Sequence, residues 1–159
     1  MIMWAVLPVK RYSVGKSRLR YLFSEAEMKE LNQNLFESTF TKIQESSGID
    51  KILVVSREEH ALAWSIAHEG MALLEDDSST LNSAIRQAQE YICHHGSGRI
   101  LILPSDLPLM TSKDLENLIS IADGKQQLVI VPDHFQSGTN ALLLSEPELI
   151  KPCFGSGSF

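Results

Sequence analysis

Apolar runs and helix-spaced apolar positions alternate along this chain. Ile2-Met3-Trp4-Ala5-Val6-Leu7 is continuous enough to be a strand buried on both faces. Ser24-Glu25-Ala26-Glu27 has the form of a capping box, and Met28, Leu31, Leu35, Thr39 and Ile43 then recur at helical spacing. That helix runs to about Ser47 and is ended by Gly48. Ile52-Leu53-Val54-Val55 predicts a second strand, residues 58–69 a helix stopped by Gly70, and Met71-Ala72-Leu73-Leu74 a third strand. The polar loop Glu75-Asp76-Asp77-Ser78-Ser79 leads to a helix with Leu81, Ala84, Ile85, Ala88 and Ile92 on its apolar side. Ile100-Leu101-Ile102-Leu103 is the clearest strand, and Thr111-Ser112-Lys113-Asp114 opens another helix. Leu128–Val131 and Asn140–Leu144 complete the strands.

This alternation predicts an α/β fold, a Rossmann-like three-layer αβα arrangement with a mostly parallel sheet covered on both faces. At 159 residues, with no linker, repeat or low-complexity stretch, the chain is expected to form a single domain over residues 1–159. No apolar run approaches the roughly 20 residues that a membrane helix needs, and the start lacks the pattern of a secretion signal. Cys93 and Cys153 have no metal or redox spacing, so reduced thiols and a cytoplasmic location are expected. His94-His95 follows a predicted helix and reads as a solvated helix end.

Charge adds the first functional information. The formal net charge is -6, yet Lys10, Arg11, Lys16, Arg18 and Arg20 all precede the first acidic residue, Glu25. Five of the 14 basic residues thus fall in one short segment directly after the first strand. The carboxyl end of a strand is where open α/β sheets bind ligands. In an acidic chain, a small cationic loop there suits a compact polyanion such as a nucleoside triphosphate. A nucleic-acid duplex would want a broader basic face.

Four segments carry candidate chemistry. The first is Pro8-Val9-Lys10 with Gly15-Lys16-Ser17-Arg18, where glycine permits close backbone approach and the cations neutralise phosphate oxygens. Gly-Lys-Ser is also the tail of a P-loop, but the glycine required five residues earlier is replaced by Lys10. The second is Leu103-Pro104-Ser105-Asp106-Leu107-Pro108-Leu109. Asp106 by itself fits a turn cap as well as a metal ligand; beside a cationic loop, holding Mg²⁺ against a triphosphate becomes the better reading. The third, Pro132-Asp133-His134 through Gly138-Thr139-Asn140, fits a second anion site or a turn, and the fourth, Gly155-Ser156-Gly157-Ser158, has the composition of an anion nest. Asn82, at the start of a helix beside Thr80-Leu81, reads by default as part of a helix cap.

Taken together and in order, these segments resemble the 2-phospholactate guanylyltransferase family of coenzyme F-420 biosynthesis. The resemblance spans the whole chain, from Trp4-Ala5-Val6-Leu7-Pro8-Val9-Lys10 to Gly138-Thr139-Asn140-Ala141-Leu142 and Phe154-Gly155-Ser156-Gly157-Ser158-Phe159. It implies a nucleotide-diphospho-sugar transferase-like fold, GTP as donor, and 2-phospholactate, phosphoenolpyruvate or 3-phosphoglycerate as acceptor. It further implies that Pro8, Val9, Lys10, Gly15, Lys16, Ser17, Asn82 and Pro104 face the nucleotide, with Lys16, Arg18 and Asp106 catalytic. Asp106 would bind Mg²⁺, and Thr139, Gly155 and Ser158 would hold the acceptor. Family members continue past this glycine loop into a helix and a strand with further metal-binding acidic residues, which the chain does not contain, so it reads as truncated. A non-catalytic nucleotide-binding remnant, or a transferase acting on molybdopterin or a sugar phosphate, is the alternative. No nucleic-acid or membrane partner is expected. Tyr12, Trp64 and Phe135 are candidates for either core or a homodimer interface.

Overall fold

The computed structural model describes residues 1–14, 19, 21–77, 80–122, 127–155 and 157–158. Its elements follow the order β1 (Met3–Val9), α1 (Glu25–Gln44), β2 (Lys51–Ser56), α2 (Glu59–Ala67), β3 (Met71–Leu74), α3 (Leu81–His94), β4 (Arg99–Ile102), α4 (Ser112–Ile121), β5 (Leu128–Pro132) and β6 (Thr139–Leu144). Every predicted strand and helix is present, with ends moved by a few residues.

The strands form one sheet in the order β3-β2-β1-β4-β6-β5. β1 pairs in parallel with β2 and with β4, and β2 in parallel with β3. β6 runs antiparallel to both β4 and β5. The mostly parallel expectation holds for the other strands, and the exception has a local cause. β5 and β6 are joined by a hairpin and not by a helical crossover, which forces them to run in opposite directions. Asp133 organises that hairpin: its N–H donates to the Gly138 carbonyl at 2.8 Å, and its carboxylate accepts from the Ser137 N–H at 2.9 Å and the Ser137 hydroxyl at 3.2 Å. Because β6 is reversed, its first residue, Thr139, lies opposite Pro132 at the sheet edge where the other strands end.

Side chains alternate along β1 between two cores, as a strand buried on both faces requires. Met3, Ala5, Leu7 and Val9 pack with Phe36, Phe40 and Ile43 of α1, Ala61 of α2, and Leu115 and Leu118 of α4. Trp4 and Val6 pack on the other side against Ala84, Ile85, Ala88 and Ile92 of α3. Complete burial of Phe36 and Phe40 stabilises the fold by about 1.5–3 kcal/mol each. The predicted capping box closes the start of α1: the Ser24 N–H donates to Glu27 at 2.7 Å and the Glu27 N–H to the Ser24 hydroxyl at 3.3 Å. Gly98, just before β4, has φ +147°, and a Cβ there would stand 2.4 Å from the Ile2 carbonyl oxygen. Only glycine fits that crossing.

Of the three undecided aromatics, Tyr12 is buried in the first core, Trp64 is packed against it, and Phe135 is exposed at the hairpin. Cys93 and Cys153 are free thiols. α3 ends at His94, and His95 stacks on Tyr91 with ring centres 3.9 Å apart, as a helix end would place it. Among the described residues, no helix is long and apolar enough to cross a membrane.

Candidate active site

The sheet order reverses at β1. The chain builds β2 and β3 on one side of it, then returns to lay β4 on the other. Loops leaving β1 and β4 therefore diverge and leave a crevice at the carboxyl edge, the usual ligand position in such sheets. Val6 stands opposite Ile102, so the basic loop and the Asp106 loop start side by side. A cleft of about 880 Å³ opens there, lined by Pro8, Val9, Lys10, Pro104 and Asp106, and on a further wall by Thr139, Gly155 and Ser158. That volume accommodates a nucleotide-sized ligand. Gly15, Lys16, Ser17 and Arg18 lie outside the described residues.

The start of the basic loop is tightly tied. The buried Ser56 hydroxyl donates to the Val9 carbonyl at 2.7 Å and accepts from the Glu58 N–H at 2.8 Å, locking the end of β1 to the end of β2. Tyr12 is held at all three of its polar groups. Its N–H donates to Glu58 at 2.9 Å, its carbonyl accepts from the Asn32 amide at 2.8 Å, and its hydroxyl meets His60 Nδ1 at 3.2 Å. Burial, and then the nearby Glu58 and Glu37 carboxylates, push the Tyr12 phenol well above its ordinary value, so it stays protonated. Lys10 and Arg11, just before this anchor, are exposed on the cleft.

The Asp106 loop leans on α1. Thr39 donates to the Ser105 carbonyl at 3.3 Å and the Lys42 ammonium to the Pro108 carbonyl at 2.9 Å. Between these two supports, Asp106 is exposed on the cleft. Among the described residues, no group of three or more His, Cys, Asp or Glu side chains gathers to cage a metal ion. Mg²⁺ is commonly held by one or two carboxylates together with substrate phosphates, and an exposed Asp106 that shares a cleft with Lys10 and Arg11 fits that shared arrangement.

The remaining wall is made where the hairpin meets the last described residues. The Thr139 hydroxyl lies 3.1 Å from the Ser158 hydroxyl, and the Gly157 N–H donates to the Ser137 carbonyl at 2.9 Å. Asn82 is not among the residues that line the cleft. Its amide is engaged with Phe154, donating to the carbonyl at 3.0 Å and accepting from the N–H at 2.7 Å. Hydrogen bonds from Ser137 to the Asp133 carboxylate, the main-chain one first, hold it below the usual carboxylate range.

Several lining residues had escaped the sequence reading. Arg57 follows β2 and pairs with Asp77 from the loop after β3, and Asn32 reaches the cleft from α1. A single arginine after a strand was the available signal for Arg57. It obeys the same edge rule as the basic loop but lacks the clustering that made the loop conspicuous.

Solved structures share this fold. A protein described as a nucleotide-diphospho-sugar transferase from Desulfovibrio desulfuricans superposes with a TM-score of 0.72 at 13% identity, over 94% of this chain and 66% of that one. A nucleotidyl transferase from Methanothermobacter gives a TM-score of 0.64 at 16% identity, over 93% and 73%. Sequence relatives are nearer. The phosphoenolpyruvate guanylyltransferase of Rubrobacter xylanophilus is 33% identical over all of this chain and 77% of its own length. That of Sphaerobacter thermophilus is 31% identical over 98% and 74%. The 2-phospho-L-lactate guanylyltransferase of Methanobrevibacter smithii is 30% identical over 98% and 67%. Residues 3–159 match the family described as "Guanylyl transferase CofC like". The chain belongs to this guanylyl transferase family.

Proposed function

We propose that this protein transfers the guanylyl group of GTP to a small phosphorylated carboxylic acid and releases diphosphate, as a step of coenzyme F-420 biosynthesis in the cytoplasm. One observation carries the reading. In a chain of a guanylyl transferase family, the start of a cationic loop, the Asp106 carboxylate and the Thr139–Ser158 corner all line one cleft. Phosphoenolpyruvate and 2-phospho-L-lactate, named for the relatives, support acids of this kind as acceptors; 3-phosphoglycerate is a third candidate.

The chemistry asks for position and charge. An acceptor phosphate is largely ionised at neutral pH. One of its oxygens attacks the α-phosphorus of GTP, forming a new P–O bond as the bond from that phosphorus to the bridging oxygen breaks. The electron pair leaves with diphosphate. No proton has to be removed, so neither His nor Cys is needed as a base. Lys10 and Arg11, with Lys16 and Arg18 of the same loop, offset the triphosphate charge and hold it in line for attack. Asp106 would hold Mg²⁺, which when bound draws charge from the departing diphosphate. Thr139, Gly155 and Ser158 offer hydroxyl and main-chain donors to the acid, and Asn82 serves the cleft through Phe154.

The test is diphosphate release from GTP with each acid in turn, with ATP, CTP and UTP run alongside and the capped acid identified by mass spectrometry. Release from GTP only when an acid is present is the expected result. Nucleotide breakdown without any acid, or equal use of all four nucleotides, would overturn the proposal.

A further inference from the structure

We propose that α1 is the frame that sets the two cleft-facing loops against each other, with Asn32 and Thr39 as positioning residues for the transfer. The inference rests on the reaction proposed above. Its starting point is a break in pattern. The core-facing stripe of α1 runs through Met28, Phe36, Phe40 and Ile43, all buried. Asn32 falls one helical turn after Met28 and one before Phe36, where another apolar side chain belongs. Thr39, also on the buried side, is 1% exposed. Both are poorer helix formers than the leucine or methionine that would suit the stripe. Departures from local rules of this kind concentrate at functional sites.

Each of the two side chains sends its donor across to a different loop. Asn32 holds the Tyr12 carbonyl, two residues beyond Lys10, and Thr39 holds the Ser105 carbonyl, next to Asp106. Lys42 adds the Pro108 carbonyl on the far side of Asp106. Asn32 and Thr39 lie about two turns apart on one rigid helix, roughly 10 Å along its axis. That fixed interval is transmitted to the separation of the Lys10–Arg11 cations from the Asp106 carboxylate. Group transfer is sensitive to displacements of an ångström or less, so the frame acts on the reaction through the two loops it holds. Tyr12 keeps its bonds to Glu58 and His60 when Asn32 is lost, so the expected change is a loosened loop in an intact fold.

The experiment compares Thr39→Val, Thr39→Ser and Asn32→Leu with the parent protein by amide hydrogen exchange and steady-state kinetics. Thr39→Val keeps the side-chain shape but removes the donor; Thr39→Ser keeps the donor. Losing one hydrogen bond should speed exchange roughly tenfold in the affected loop. For Thr39→Val the effect is expected at residues 105–110, with kcat lowered about tenfold and the KM for GTP little changed. For Asn32→Leu it is expected at residues 11–14, with the KM for GTP raised about tenfold. Thr39→Ser should restore both readouts. Parent-like loop exchange in Thr39→Val and Asn32→Leu overturns the frame, as does uniformly faster exchange over the whole sheet. A parent protein that releases no diphosphate with any nucleotide and acid overturns the proposed reaction instead, and the exchange pattern still decides the frame.

Discussion

The Thr139 hydroxyl donates to the Ser158 carbonyl at 3.2 Å and lies 3.1 Å from the Ser158 hydroxyl, so the first residue of β6 and the glycine-rich loop brace one another on the cleft wall. Each hydroxyl carries one proton, so an anion seated between them receives it only when that hydroxyl turns away from its present partner.

Thr139→Val should therefore act on the acid and spare the nucleotide. Hydrogen bonds to charged groups contribute about 1.5–3 kcal/mol, so the KM for the acid is expected to rise roughly 10- to 100-fold. Varying both substrates checks this, and an equal rise in the KM for GTP would contradict it.

Asp106→Asn keeps the shape of the loop but removes its charge. Loss of about 3 kcal/mol of transition-state stabilisation corresponds to a fall in kcat of about 10²-fold or more. Diphosphate release under saturating GTP and acid measures it, with the melting temperature expected to stay close to that of the parent.

Asn82→Ala should unfasten Phe154, which Asn82 grips through both its main-chain groups. The expected cost is about 1–3 kcal/mol of stability, seen as a lower melting temperature, together with weaker acid binding through the loosened Gly155–Ser158 segment. Asn82→Asp should not rescue it, because one carboxylate oxygen would then face the Phe154 carbonyl.

The hairpin should respond to acid. The Ser137 main-chain N–H is the main reason the Asp133 carboxyl titrates below its usual range. Its contribution to stability is thus fully present above the unfolded value of about 4 and is lost as pH falls through the lower folded value. An NMR titration should show Ser137 and Gly138 amide shifts moving with Asp133 below the ordinary carboxylate range, and Asp133→Asn should abolish that transition.

Gly98→Ala tests the close crossing beneath β4. Positive φ and a Cβ pressed on the Ile2 carbonyl predict a loss of about 1–3 kcal/mol in denaturant unfolding, with catalysis by the folded fraction unchanged.

Much of this architecture could be read from residue order, for physical reasons that also mark the limits. β1, β2 and β4 are unbroken apolar runs because both sheet faces are covered, and the Ser24–Glu27 cap reports a local bond that needs no tertiary partner. The centre of the α1 stripe was not legible in the same way. Met28, Thr39 and Ile43 of the expected stripe are buried, but Leu31 and Leu35 are only partly so and Phe36 and Phe40 are fully buried in their place, because the sheet selects which part of a wide apolar arc faces inward. The reversal of β6 depended on whether the Asp133–Gly138 segment closes as a hairpin, which spacing alone left open. In the cleft, clustered charge and paired prolines pointed to the loops after β1 and β4. Asn32, Thr39 and Arg57 carried no such mark, since each matters through a partner distant in sequence.

The place of β6 as the last described strand also has a temporal consequence. A ribosome delivers β1 through β4 well before residue 139, and the glycine loop emerges later still. The loops after β1 and β4 are thus made before the Thr139–Ser158 corner, and the cleft gains that wall only after the chain through residue 158 has been made.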